Sequence, residues 1–309
     1  MKHKSLNIFS FSFKMMAGLL MTVSFMACES LYEGGEFKIY EHEAPERPEL
    51  QDAPGKKGIY MPTDVTNWQD KVSSVTPFWH FSQGTELKAE EPENVEFVPT
   101  ISGDNIDNAL VTELQGLKDD GKISYLLGFN EPDNVDKANM TVERALELWP
   151  LLEEVGLPLG SPACVDIESQ WMVDFMDSVD AKGLTIDFIS MHWHGDTDTE
   201  TDAEAEAGVF LNKLEDAFLL YEKPIWITGF SLTDTAATII KDNQYSPGDV
   251  LKFMKSVLPE LEKRAYILRY AWLHGDISDP QQYSSALWDE SGRLTALGTY
   301  YAEFKPNTK

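Results

Sequence analysis

Glu131 is the residue of this 309-residue chain best placed to do acid chemistry, because it interrupts an apolar run at a point where the backbone must stop extending. Leu126, Leu127 and Phe129 have the character of a strand buried on both faces, and the run ends in Asn130-Glu131-Pro132-Asp133. Pro132 cannot continue a sheet ladder, so a carboxylate is set at the end of a buried strand. That is where α/β barrels keep the groups that act on substrate, and a general acid belongs there.

The elements that must hold such a group are legible on both sides of it. From Gly58 onward, apolar runs of strand length alternate with longer amphipathic stretches. Strands are predicted at 58–61, 76–81, 95–99, 123–130, 157–161, 186–192, 224–230 and 265–272, which is the barrel number. The clearest helices are predicted at 104–119, 166–181, 205–221 and 247–263. The last starts Ser246-Pro247-Gly248-Asp249, with a cap residue, a proline at the first helical position and an acid in the first turn. The fold expected is α/β, a (β/α)8 TIM barrel occupying residues 57–305, with no repeat at solenoid spacing.

Residues 1–27 carry Lys2, Lys4 and Lys14, no acid, and an apolar core from Met15 to Met26. A basic start, a short apolar segment and small residues before a cysteine describe a secretory signal, too short for a spanning helix. Phe25-Met26-Ala27-Cys28 is similar to a bacterial lipobox, which makes Cys28 the expected lipidation site, with a plain signal and an incidental cysteine as the alternative. Residues 28–56, rich in Glu, Pro and Gly, are expected to form an acidic flexible tether. Phe37, Ile39 and Tyr40 packing as an outlying strand is the alternative. The expected location is therefore the bacterial cell envelope, with the membrane reached through the N-terminal lipid, at the outer membrane or cell surface.

With Cys28 lipidated, Cys164 is the one remaining thiol and no internal disulfide can form. The formal net charge is −27, and losing the three signal lysines makes it more negative by three. Such a surface repels phosphate backbones, which argues against nucleic acid and suits a neutral polymer.

The resemblance to a known family is specific. A strand ending in Asn130-Glu131-Pro132 resembles the fourth strand of retaining glycosidases built on the barrel, and the longer phrase YLLGFNEPDNVDKANMT resembles glycoside hydrolase family 128, the β-1,3-glucanases. PFWHFSQG, VEFVPTISG, LGSPAC, DFISMHWHG, KPIWITGFS, RYAWLH and LTALGTYYA extend it, in family order, from about Gly58 to Tyr301. The resemblance implies that Glu131 is the acid/base and that Asn130 bonds the sugar hydroxyl beside the reacting carbon. Retaining hydrolysis needs a second carboxyl about 5 to 5.5 Å away. The resemblance puts it at the end of the seventh strand, in a phrase like Ile-Trp-Ile-Thr-Glu-Phe. This chain reads Ile225-Trp226-Ile227-Thr228-Gly229-Phe230, so a glycine stands where the nucleophile is expected. His194 also stands where the family commonly has a tyrosine that orients that nucleophile.

What remains could hold sugar. Trp79, Trp193, Phe230 and Trp272 lie at or near predicted strand ends, where they could stack on glucose faces or, alternatively, pack the barrel. His80, His192, His194 and Asn130 could supply oriented polar contacts. Asp234, five residues beyond Gly229, is a candidate for an inverting arrangement, whose carboxyls stand about 6.5 to 9.5 Å apart. Asp196, Asp198, Glu200 and Asp202 lack the glycine a tight calcium loop needs and read as a solvated acidic loop. His192 and His194 have no third ligand in view, so no metal and no cofactor is expected. The expected function is binding of β-1,3-glucan or a similar neutral glucan, with retaining hydrolysis lost or impaired. The alternatives are an active β-1,3-glucanase using Glu131 as general acid, and an envelope scaffold for a protein partner.

Overall fold

The computed structural model describes residues 55–195 and 202–305. The predicted signal, Cys28, nearly all of the tether and the acidic residues Asp196, Asp198 and Glu200 lie outside the described residues.

The strands are β1 (Lys57–Tyr60), β2 (Trp79–Phe81), β3 (Glu96–Phe97), β4 (Thr100–Ser102), β5 (Leu127–Asn130), β6 (Ile189–Trp193), β7 (Ile225–Phe230) and β8 (Ile267–Leu273). All pairings between them are parallel: β1 lies between β2 and β8, β3 extends from β2, β7 lies between β6 and β8, and β4 pairs with β5. Two features join these arcs. β3 lies within the third predicted strand, 95–99, whose Pro99 carbonyl accepts from the Leu127 N–H at 2.9 Å, and β4 begins just past it, beyond Val98-Pro99, where proline removes a ladder donor. The fifth predicted strand, 157–161, makes only isolated bridges, Leu159 to Leu126 and Gly160 to Phe188 just before β6, and Ala163, two residues past it, bridges Asn130. Each of the eight predicted strands thus bonds its neighbours, and the (β/α)8 reading is borne out.

Helices α1 (Trp68–Ser74), α2 (Asn108–Asp119), α3 (Val142–Glu154), α4 (Gln170–Lys182), α5 (Ala203–Tyr221), α6 (Pro247–Lys263) and α7 (Ala296–Glu303) follow the strands. The capping box predicted at Ser246 and Asp249 is present on α6. No helix among the described residues is long and apolar enough to cross a membrane.

Alternation along the strands sorts side chains into two cores. Trp79, Phe81, Tyr125, Leu127, Phe188 and Trp226 fill the interior, while residues such as Ile59, Phe97, Phe230 and Trp272 pack outward against helices. An unforeseen cation plugs the interior: the Arg269 guanidinium lies 4.3 Å from the Trp226 ring centre and 4.5 Å from that of Tyr125, and donates to Glu96 at 2.7 Å. Two lysines then seal the opposite edge of the chain. Lys56 donates to the carbonyls of Leu261, Glu262 and Arg264 at the end of α6, and buried Lys57 to those of Tyr301 and Phe304 at the end of α7. Positive charge there meets the negative helix ends.

Candidate active site at the barrel mouth

Glu131 follows β5 directly and takes a left-handed backbone, φ 44°, which costs a non-glycine residue energy and persists only where surroundings impose it. The surroundings are visible. Its N–H donates to the Ala163 carbonyl at 2.8 Å, and its carbonyl accepts from the Asn134 N–H, opening a turn that closes with the Met140 N–H on the Pro132 carbonyl at 2.7 Å. The buried carboxylate is bonded from within this turn. Asn134 Nδ2 donates to Oε2 at 2.6 Å and Lys137 Nζ to Oε1 at 2.7 Å. Burial by itself would raise the Glu131 carboxyl, but the bonds from Lys137 and Asn134, with the positive charge of Lys137, hold it below the usual range. Asn134 and Lys137 went unrecognised in the sequence. The signal was present in Asn134-Val135-Asp136-Lys137, an amide and an amine three and six residues past the acid.

β6 delivers His192 and His194 to the same side, ring centres 5.4 Å apart. Desolvation lowers both imidazoles, half-buried His192 to about 3 and the more exposed His194 in the same direction, against the opposing pull of Glu131, which leaves both mainly neutral at pH 7. β1 contributes Tyr60, whose ring lies 5.1 Å from Phe81 and 5.9 Å from His274. Burial and the charges of Asp64 and Glu131 push its hydroxyl up to about 12, keeping it protonated. Glu131, His192, His194 and Tyr60 therefore share one electrostatic neighbourhood at the carboxyl ends of β5, β6 and β1.

Gly229 sits in β7 where the register slips: Ile227 pairs with Tyr270 and Phe230 with Trp272, so two residues of β7 oppose one of β8. This is a bulge. Within it Gly229 has φ 126°, a conformation L-residues rarely adopt, and a Cβ there would lie 2.8 Å from Leu273 Cδ2. The backbone at the expected nucleophile position is thus shaped for glycine, not merely occupied by it.

Several expected contact residues lie elsewhere. Trp79 is fully buried in the interior, its indole N–H donating to the Lys56 carbonyl at 3.0 Å. His80 points outward between Trp68 and Phe97 and meets Glu91 at 2.6 Å. Trp193 packs on Phe210, Phe230 on Phe210 and Trp272, and Trp272 bonds the Ser285 carbonyl at 3.1 Å. These five are packing residues, because strand alternation turns them away from the mouth or below it. Asn130 ends β5, half-buried, opposite Ser102. Asp234 is buried with its carboxylate turned into its own loop, accepting from the N–H groups of Ala236 at 3.0 Å and Gln244 at 2.8 Å.

The mouth therefore presents one bound carboxylate, neutral imidazoles and a phenol, a set suited to hydrogen-bonding a polyhydroxy ligand. A glycoside hydrolase family 128 subgroup I endo-β-1,3-glucanase from Amycolatopsis mediterranei, solved with laminaritriose, superposes with TM-score 0.68 at 28% identity, covering 80% of this chain and 98% of that one. A subgroup II endo-β-1,3-glucanase from Pseudomonas viridiflava gives 0.62 at 28%, covering 81% and 98%. A subgroup VII oligosaccharide-binding protein from Trichoderma gamsii shares the fold, at TM-score 0.57 and 21% identity over 84% and 96%. No curated protein sequence matches the chain. Residues 58–301 match the glycosyl hydrolase catalytic core, and the chain belongs to that family.

Proposed function

We propose that this barrel binds β-1,3-glucan, or a similar neutral glucan, at its mouth without carrying out retaining hydrolysis, and that lipid on Cys28 holds it to the bacterial envelope. The observation that carries the reading is Gly229 in its bulge. Retention requires a carboxylate that bonds to the sugar carbon, and the backbone there is set in a form that disfavours any side chain. Glu131 supports the same reading from the other side. A general acid must be protonated near the working pH, usually by a raised pKa, whereas Lys137 and Asn134 stabilise the ionised form. An ionised Glu131 accepts hydrogen bonds from sugar hydroxyls and gives no proton to a leaving oxygen. The inverting alternative through Asp234 is disfavoured by the backbone bonds that turn its carboxylate away.

Substrate class comes from the endo-β-1,3-glucanases at 28% identity, and the excess of acid agrees with an uncharged ligand. The test is calorimetric titration with laminari-oligosaccharides alongside a reducing-end assay over long incubation. Saturable binding with no released sugar is expected. Steady turnover would overturn the reading, and no binding across a panel of glycans would favour a scaffold for a protein partner.

A further inference from the structure

A crevice of about 800 Å³ lies between α3 and α4, outside the barrel mouth. Its α4 wall is one stripe, Trp171, Asp174, Ser178 and Lys182, at spacings of three and four that share a helix face. Trp171 is held as a rigid platform. Its indole N–H donates to the Met140 carbonyl at 2.7 Å, and its ring stacks on Phe175 with centres 5.4 Å apart and planes 14° from parallel. The ring surface left toward the crevice has no polar group still to satisfy. Facing it, α3 supplies Leu146 and the carboxylates of Glu143 and Glu147. An aromatic floor with carboxylate and hydroxyl acceptors around it fits the apolar faces and hydroxyl edges of a sugar ring. Acids outnumber Lys182 around the rim, which excludes an anionic ligand.

One loop links the crevice to the mouth along the chain. Asp133 lines the crevice two residues after Glu131, and the same turn that holds Glu131 closes at Met140, whose carbonyl anchors Trp171. We propose that this crevice is a second saccharide site, which takes a segment of the same neutral β-glucan chain that the mouth holds. This rests on the mouth reading given above.

The test compares laminaritriose, by calorimetry, with soluble β-1,3-glucan polymer, by retardation in native gels cast with the polymer. Two variants are used: Trp171→Ala, and Ser178→Arg, which fills the crevice from a half-buried position in its wall. Both are expected to weaken polymer retention about five- to tenfold, the effect of losing contact with one stacked ring, which Trp171→Ala deletes and Ser178→Arg covers, while trimer affinity stays within about twofold. Polymer retention unchanged in both variants, with trimer binding intact, overturns the crevice proposal alone. Failure of the unaltered protein to bind the trimer overturns the mouth reading, and a basic peptide displacing polymer from the crevice shows a different occupant and overturns the proposal.

Discussion

Restoring the expected nucleophile with Gly229→Glu should fail, and the structure says by how much. At φ 126° an L-residue carries about 1 to 3 kcal/mol of backbone strain. The new Cβ would meet Leu273 Cδ2 at 2.8 Å, and overpacking adds about 1 kcal/mol, the low end of its range, because the obstructing methyl ends a flexible side chain. The sum is about 2 to 4 kcal/mol, and at about 2 to 4 °C per kcal/mol for a barrel of this size the midpoint of melting falls by roughly 4 to 16 °C. The alternative response is to rebuild the bulge into regular strand, which shifts the Ile227–Phe230 register against both β6 and β8. Either way the carboxylate does not arrive where a sugar carbon waits, and Glu131 stays ionised. Differential scanning fluorimetry and a reducing-end assay read both consequences, and Leu273→Ala in the same chain should recover only the packing part. A Gly229→Glu protein as stable as its parent, or one that cleaves glucan briskly, would refute the reasoning.

Lys137→Met removes the strongest bond to Glu131, so the carboxyl should titrate at higher pH, read by carbon NMR of the side chain; an unchanged titration would contradict the pairing. Stability should fall on acidification. Folding lowers His192 to about 3 from an unfolded value of about 6.5, so its contribution is complete above about 6.5 and is lost as pH drops toward 3. Urea melts should show a slope of up to about 1.4 kcal/mol per pH unit from this residue, diminished in His192→Asn. Trp79→Ala and Trp272→Ala should each cost about 3 to 5 kcal/mol, as core deletions do, while Tyr60→Ala should weaken glucan binding with a smaller loss of stability. Lys57→Met strips the buried cation from the end of α7 and should cost about 1 to 3 kcal/mol by denaturant melt, although Lys57 stands at the other end of β1 from Tyr60.

The barrel was legible because its strands are apolar runs of fixed length and its helices carry capped, periodic faces, α6 being the plainest. Glu131 was legible for a related reason, since proline after a buried acid fixes where the strand stops. The aromatics were harder. Trp79, Phe230 and Trp272 sit at strand positions where a one-residue change of phase exchanges interior, exterior and mouth, and neither the β7 bulge nor the irregular β8 register is written in local composition. Tyr60 and His274 reach the mouth from opposite ends of the chain, and only closure brings them together. The tie from Lys137 to Glu131 was missed because a lysine in a polar loop is usually solvated, and only the left-handed turn at Glu131 bends it back. Gly229 could be seen as an absence in the sequence, but its positive φ, which makes the absence structural, could not.

The most direct test of the central claim is mass spectrometry of both partners after prolonged incubation with laminaripentaose at a concentration where calorimetry shows the site filled. The account predicts the pentasaccharide recovered whole and the protein at its unmodified mass. Shorter laminari-oligosaccharides, or a glycosyl adduct on any side chain, would contradict it.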